Sequence, residues 1–167
     1  MSFMEQTEAR YSSRKYSERP VEKEKIDAIL EAGRRSPSAK NLQPTRVLVA
    51  ESPDALGRIA KAANLFKAPV GLVVISKRDI AWKRPFDGKN FGDIDASIVM
   101  TQMMYEAQEL DLGTVWIGYF DPAVLKSELA LGEDEEVSAI LAVGYRADET
   151  SANHGNRIPM SEFAKRI

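Results

Sequence analysis

The residues best suited to chemistry near the N-terminus form the motif RYSSR, residues 10–14. The guanidinium groups of Arg10 and Arg14 can each hold a phosphate through two parallel hydrogen bonds, and the hydroxyl of Ser12 can complete an anion cradle. Taken alone, the motif is more typical of a helix end followed by a solvated basic turn. It therefore predicts an anion site only if other parts of the chain supply the rest of a ligand.

A second candidate is SPSAKNLQPT, residues 36–45, which joins a helix pattern to a strand pattern. The side chains of Ser38, Asn41 and Gln43 can read the heteroatoms of a polar ring system. Two prolines would stiffen the stretch and lower the entropy of holding those groups in place. Connections in compact domains are normally shorter, so this loop is either functional or surface filler.

Two further features lie towards the C-terminus. In TVWIGYFD, Gly118 directly follows an apolar strand pattern, so the main chain there could approach a flat ligand closely. In the polar segment NHGNRIP, Arg157 is a surface residue unless folding brings it near the RYSSR motif. Neither feature identifies a ligand by itself.

Composition excludes several kinds of catalytic centre. The chain has no cysteine and a single histidine, His154, which excludes thiolate catalysis, disulfides, Cys-ligated metals and multi-histidine metal sites. No Ser-His-Asp triad of the usual spacing, Gly-rich dinucleotide fingerprint or P-loop occurs. If the protein is an enzyme, we expect its difficult chemistry to belong to a bound cofactor, with no metal and no catalytic side chain.

The overall balance of residues is that of an ordinary soluble protein. The 167 residues include 23 Lys and Arg against 25 Asp and Glu, a net charge of -2, so no global field favours nucleic acid or anionic membrane. One domain over residues 1–167 is the simplest expectation at this length. No apolar run reaches the length of a membrane span and the first residues are too polar for a signal peptide, so we expect a cytoplasmic protein.

Helix and strand patterns alternate along the chain. Helices are predicted over PVEKEKIDAILEAGRRS, SPDALGRIAKAAN, DIDASIVMTQMMYEAQEL and DPAVLKSELAL, and strands over TRVLVAES, PVGLVVISK, TVWIGYF and VSAILAVGYRA. The third helix is apolar on much of its circumference, which predicts a place in the core or between subunits. The composition of residues 78–92 predicts an irregular loop or short lid. At least four strands and four helices favour an α/β or α+β sheet with helical cover.

Together the motifs resemble one family. RYSSR before a helix, SPSAKNLQP before a strand, DASIVMTQMMYEAQELDLGTVWIGYFD, VGYR and a late basic tail follow the order and spacing of the nitroreductase family of flavoproteins, over about residues 10–163. The resemblance implies an FMN-binding homodimer of α+β fold. A mixed sheet would be flanked by helices, with the long central helix in the dimer interface. A C-terminal arm, about residues 147–167, would wrap the partner subunit.

The resemblance also implies the flavin contacts, residue by residue. The phosphate and ribityl contacts match Arg10, Tyr11, Ser12, Arg14 and Arg157. The loop against the flavin ring, contributed in some descriptions by the second subunit, matches Pro37, Ser38, Ala39, Asn41 and Gln43. The main chain that faces flavin N5 and O4 matches Trp116, Ile117, Gly118 and Tyr119. Thr45 stands where the family usually has an aromatic residue, and Asn64 is the candidate for a further flavin-contacting asparagine.

The implied activity is a ping-pong oxidoreductase. NADH or NADPH delivers hydride to FMN and leaves, and a nitroaromatic, quinone or related acceptor then binds over the same ring. Three alternatives stay open. The same fold supports reductive dehalogenation and flavin fragmentation. The chain could instead be a flavin-binding or sensing module without turnover, or a structural dimer whose arginines are only solvated charge.

Overall fold

The computed structural model describes residues 2–167, which form six α-helices, one short 3-10 turn and four strands. In chain order these elements are α1 (Phe3–Ala9), α2 (Lys23–Arg34), the 3-10 turn (Ala39–Asn41), β1 (Thr45–Ala50), α3 (Pro53–Ala60), β2 (Val70–Lys77), α4 (Gly92–Glu109), β3 (Gly113–Ile117), α5 (Pro122–Glu128), β4 (Glu135–Gly144) and α6 (Met160–Phe163). The four helices and four strands that the sequence patterns predict are all present. Within the described chain, no helix combines the length and apolarity needed to cross a membrane.

The strands form one sheet in the order β1-β2-β4-β3, and each neighbouring pair is antiparallel. The α+β class with flanking helices is confirmed, whereas the sheet expected to be mixed is antiparallel. The first pair shows why: Ala50 pairs with Gly71, so the connection through α3 leaves and returns at one end of the sheet and reverses the chain. The one parallel contact within residues 2–167 is an isolated bridge between Ser12 and Thr114.

Helices cover both faces of the sheet, so the core has two halves. On one face α2 and α4 pack against the strands, where Leu72 and Met103 are fully buried. On the other face α3 and α5 bury Val73, Ile59 and Leu125. Because successive strand residues point to opposite faces, a central strand covered on both sides must be largely apolar, as residues 70–75 of β2 are.

The predicted irregular segment 78–92 leads from β2 into α4: residues 78–91 form neither helix nor strand, and α4 begins at Gly92. Trp82 packs edge-on against Phe91 with ring centroids 4.8 Å apart, which gives the excursion a small apolar core of its own. Phe86, at its tip, is almost fully exposed. The excursion is therefore an ordered loop that presents one large aromatic side chain to solvent.

Gly144, the last residue of β4, permits a close contact with the N-terminal segment. A Cβ at this position would lie 2.7 Å from Pro69 Cδ and 2.9 Å from Tyr16 Cδ1. The Tyr16 ring has little freedom to move away, because its hydroxyl donates to the Ser13 carbonyl at 2.8 Å. The missing side chain therefore lets the segment after RYSSR pack directly on the sheet.

We expect Gly144→Ala to lower the free energy of unfolding by about 1–3 kcal/mol, because the added methyl overpacks against two rings. Gly57→Ala is the matched control: Gly57 lies within α3, and an added Cβ there meets nothing within 4 Å. Alanine at this helical position should stabilise the protein by about 0.5–1 kcal/mol. Urea unfolding followed by circular dichroism measures both variants, and equal stabilities would contradict the packing role of Gly144.

Candidate ligand site

The RYSSR motif lies along the open edge of the sheet. α1 ends at Ala9, and the following extended segment pairs with edge strand β3, where the Ser13 N–H donates to the Thr114 carbonyl at 2.9 Å. Side chains alternate in extended backbone, and Ser13 is fully buried. Its neighbours Ser12 and Arg14 therefore face away from the core.

The two arginines of this motif lack acidic partners. Arginines elsewhere in the protein, such as Arg34 and Arg84, form ion pairs with nearby carboxylates. Within residues 2–167 no carboxylate oxygen lies within 4.0 Å of a guanidinium nitrogen of Arg10 or Arg14. The Nε atom of Arg10 is moreover buried without a hydrogen-bond partner in this part of the chain. A buried donor without a partner is unfavourable, so the pattern favours an anion as the missing acceptor.

Asp148, which the sequence analysis missed, organises the motif from the other side. Its carboxylate accepts hydrogen bonds from the Arg14 N–H at 2.6 Å, from the Lys15 N–H at 3.2 Å and from the Ser13 hydroxyl. Its backbone carbonyl accepts the Tyr11 hydroxyl at 2.7 Å. Burial raises the pKa of Asp148, but these hydrogen bonds outweigh it and hold the pKa below its usual range. A single aspartate in a polar tail carries no sequence signal for such a role.

The polar tail that carries Arg157 folds back on α1. The Nε2 atom of His154 lies 2.8 Å from the Glu8 carbonyl, so this nitrogen carries the hydrogen and donates. The same imidazole packs edge-on against Tyr11 with ring centroids 6.2 Å apart. Arg157 follows three residues later, and its guanidinium donates to two backbone carbonyls of the tail.

The main chain of Trp116–Tyr119 continues along the same sheet edge. Alternate residues of a strand direct their N–H and C=O groups to the same side. Since the Thr114 carbonyl faces the RYSSR motif, the backbone groups of Trp116, the alternate residue within β3, face that edge too. A Cβ added to Gly118 would meet nothing within 4 Å, and the Tyr119 side chain is almost fully exposed. A flat ligand could therefore approach this backbone closely.

Asn64 belongs to the same region. The isolated bridge of Ala63 with Phe120 ties the segment after α3 to the end of β3. The Asn64 side-chain oxygen accepts the Phe66 N–H at 2.8 Å, and the Arg14 guanidinium carbon lies 6.0 Å from the centre of the Phe66 ring. We call residues 10–14, Asn64 and residues 116–119 the edge cluster.

Loop 36–45 adopts a strained backbone. Lys40, Asn41 and Gln43 have left-handed φ values of 52°, 55° and 50°. This conformation costs roughly 1–2 kcal/mol for each non-glycine residue. Internal hydrogen bonds support it, such as the Gln43 N–H to Ser38 Oγ bond of 3.0 Å. Three strained residues within four positions persist only where the surroundings hold them, and such clusters are typical of functional sites.

Asp95, in the first turn of α4, anchors this loop. Its Oδ1 accepts the Ala39 N–H at 3.0 Å, while Oδ2 is buried without a partner in the described chain. The Thr45 and Ser76 hydroxyls, which belong to directly paired residues of β1 and β2, are also buried and unpaired there. Asp95 is one of two acidic residues at the start of the helix pattern, and nothing in the sequence distinguishes it from Asp93.

We expect Asp95→Ala to release the Ala39 amide and to raise its hydrogen-exchange rate by about tenfold or more, because the buried acceptor is lost. Ser97→Ala is the matched control on the same helix, since its hydroxyl bonds only to the Asp93 carbonyl within α4. Exchange followed by NMR over residues 38–43 distinguishes the two. Unchanged exchange at Ala39 in the Asp95 variant would contradict the anchoring role.

A cavity of about 280 Å³ lies between this loop, α2 and α4. Ser38, Gln43 and Arg46 supply polar groups to its wall, and Val47 and Val99 supply apolar surface. Apolar walls with a few convergent polar groups are typical of sites for organic ligands. Within residues 2–167 no group of His, Asp and Glu side chains is arranged to hold a metal ion.

Within one chain, loop 36–45 does not lie near the edge cluster. The loop enters β1, and the cluster lies beside β3, at the opposite edge of the sheet and three strand spacings or about 14 Å away. The strand register also places the RYSSR motif near the level of Ala50, whereas the loop joins β1 at Thr45, a further distance of roughly 17 Å along the strand. The candidate flavin residues therefore form two separate groups.

Comparison with known proteins establishes the family. The sequence profile described as the nitroreductase family matches residues 7–65 and 59–145. The chain belongs to the nitroreductase family. A solved nitroreductase family protein of Clostridium difficile 630 is 40% identical to it, with a TM-score of 0.95 over 99% of this chain and 98% of that one. The resemblance inferred from the order of the motifs is confirmed.

Two other proteins similar to this nitroreductase family member bear on its chemistry. A Thermus thermophilus protein named NADH dehydrogenase is 27% identical over 184 aligned positions, which cover 90% of this chain and 89% of that protein. A Desulfovibrio desulfuricans protein solved in complex with FMN is 26% identical, with a TM-score of 0.83 over 100% of this chain and 97% of that one. A nicotinamide donor and a flavin are therefore named for proteins of the same fold.

Proposed function

We propose that the protein is an NAD(P)H-dependent FMN oxidoreductase that reduces nitroaromatic, quinone or related acceptors. Its family membership, the relative named NADH dehydrogenase and the FMN-bound neighbour support this enzyme class and cofactor. The observation that carries the proposal is the edge cluster, where two arginines without acidic partners adjoin an open strand edge.

The residues of the edge cluster fit FMN. Arg10, Ser12 and Arg14 offer charged and hydroxyl donors of the kind that bind a phosphate, and Arg157 approaches from the tail. Burial and the neighbouring Asp148 carboxylate raise the pKa of Tyr11, so its hydroxyl stays protonated and its bond to the Asp148 carbonyl persists. This bond fixes the main chain of Tyr11, which can then contact the cofactor.

The end of β3 fits the flavin ring. The main chain from Trp116 to Tyr119 offers N–H groups at an exposed edge, and a preorganised donor there stabilises negative charge that develops on a ligand. Bound FMN supplies the hydride chemistry, which the side chains of this protein do not provide. No side chain is assigned a catalytic role. The chain binds and orients the cofactor, and NADH or NADPH and then the acceptor occupy the same open space in ping-pong order.

A second copy of the chain would complete the site. Loop 36–45, with Pro37, Ser38, Ala39, Asn41 and Gln43, lies too far from the edge cluster of its own chain to share one flavin with it. The same loop from a partner can supply the ring contacts, since a two-fold dimer repeats every surface twice. We therefore propose two flavin sites per homodimer, each built from both chains.

Exposed apolar side chains support the same assembly. The outer face of α4 carries Ile94 and Ile98, which border an open groove of about 480 Å³. In the tail, Ile158, Met160 and Phe163 are between 60% and 73% exposed, although each is large and apolar. Such surfaces mark interaction sites in soluble proteins. We propose that α4 lies in the dimer interface and that an arm of about residues 147–167 wraps the partner.

The proposal predicts that the purified protein shows flavin absorbance bands or acquires them with added FMN, and that NADH or NADPH bleaches the bands in the absence of oxygen. Addition of a quinone should then restore them. Bands that persist with both donors would indicate a flavin-binding module without turnover. A protein that takes up no FMN would contradict the proposal altogether.

A mixed dimer tests whether each site is shared between chains. We expect the double variant Arg10→Ala/Arg14→Ala to weaken FMN binding by about tenfold or more, because two charge-assisted contacts are lost. Asn41→Ala/Gln43→Ala removes ring contacts from the loop. A heterodimer of the two double variants, purified through two affinity tags, would contain one doubly damaged site and one intact site, and should bind about half of the wild-type amount of FMN tightly.

The control for the arginine variants is Arg58→Ala, which removes an arginine on α3 outside the candidate site. Its FMN affinity should equal that of the wild type. A heterodimer without any tight FMN site would show that each site is built within one chain, and would overturn the shared arrangement while leaving the flavin assignment intact.

A further inference from the structure

Asp148 is an acidic residue where the proposed function requires a basic one. Its carboxylate lies against the backbone of the RYSSR motif, which we assign to the FMN phosphate. A negative charge at such a place repels a phosphate, so charge alone does not explain its presence. Its contacts suggest a geometric role instead.

A short antiparallel pairing delivers Asp148 to this position. Tyr16 forms an isolated bridge with Arg146, and on either side of it the Ser17 N–H donates to the Tyr145 carbonyl at 2.9 Å and the Ala147 N–H donates to the Lys15 carbonyl at 3.0 Å. This register places the next residue, Asp148, opposite the preceding residues of the motif.

The carboxylate then accepts the backbone N–H groups of Arg14 and Lys15 and the side-chain hydroxyl of Ser13. Oδ2 accepts the Arg14 N–H at 2.6 Å and the Lys15 N–H at 3.2 Å, and Oδ1 accepts the hydroxyl of Ser13, which is fully buried. Two successive amides and a buried hydroxyl thus converge on one side chain. No other side chain of the described chain accepts hydrogen bonds from the Arg14 and Lys15 amides.

We infer that Asp148 is a positioning residue for the phosphate end of the FMN site: it locks residues 13–15 so that Ser12 and Arg14 face the phosphate before it binds. This inference rests on the proposed function. Preorganisation raises affinity because the ordering of the loop does not have to accompany binding. The hydrogen bonds that keep the pKa of Asp148 low also keep the carboxylate ionised, which the two N–H donors require.

FMN and riboflavin separate this role from a general structural one, because they differ only in the phosphate. Asp148→Ala removes the carboxylate, so the Arg14 and Lys15 amides lose their side-chain acceptor. We expect the Kd for FMN to rise by about tenfold or more, and the Kd for riboflavin to change by less than about twofold. Fluorescence titrations of the full-length protein at neutral pH measure both constants.

Two further variants sharpen the test. Ser13→Ala removes one donor to Asp148 and keeps both amide contacts, and should show the same selective loss of FMN affinity in weaker form. Glu149→Gln removes one negative charge beside Asp148 and is the charge control. Loss of charge alone should leave FMN binding unchanged or slightly tighter. A correctly folded Ser13→Ala variant keeps the inference testable if Asp148→Ala unfolds.

The inference is overturned if Asp148→Ala binds FMN as tightly as the wild type or more tightly, since charge would then be the only influence of Asp148. Equal losses for FMN and riboflavin would also overturn it, because they indicate a structural role without preference for the phosphate end. A wild-type protein that binds neither flavin would refute the proposed function, and the inference would fall with it. A loss of FMN binding in the variants alone is distinguishable from that result, because the wild-type protein would still bind flavin.

Discussion

The hydrogen bond from the Ser13 N–H to the Thr114 carbonyl fixes the N-terminal segment to the free edge of the sheet. The candidate site depends on this attachment. It sets the alternation that buries Ser13 and turns Ser12 and Arg14 outward, and it places the arginines on the same strand edge as the main chain of residues 116–119. An edge strand has backbone N–H and C=O groups without partners, and proteins commonly cover or disrupt such an edge. Here these groups are available to a segment of the chain and to a ligand.

Two carboxylates hold the parts of the site that secondary structure does not. Asp148 accepts the amides of Arg14 and Lys15, and Asp95 accepts the Ala39 amide beneath a loop with three left-handed residues. Loops lack the regular ladders that satisfy backbone donors, so a side-chain acceptor has to replace them. A rigid, flat cofactor gains affinity from surfaces that are ordered in advance. The same argument explains the unfavourable backbone of loop 36–45, because its strained conformation is ordered in advance.

The sequence was sufficient for four strands, four helices and the family, but the patterns did not include the short helices α1 and α6. The pattern PVGLVVISK predicted β2, and the helix patterns that begin with Ser52-Pro53 and Asp121-Pro122 predicted α3 and α5 where the structure has them. These signals are local, since caps and periodicity depend on neighbours within one or two turns. The family followed from the order of motifs along nearly the whole chain. The direction of strand pairing did not follow, because it depends on which strands become neighbours.

The sequence by itself thus determined four helices and four strands, the basic and polar motifs and the exclusion of cysteine and multi-histidine chemistry. Only the tertiary structure decided which motifs meet. It joined residues 10–14 to residues 116–119 through an edge strand, left loop 36–45 at the opposite edge, and brought Asp148 across more than a hundred residues to the RYSSR motif. The reason is that contacts between distant segments arise from the strand order and register of the folded sheet, and no local pattern of residue types encodes them.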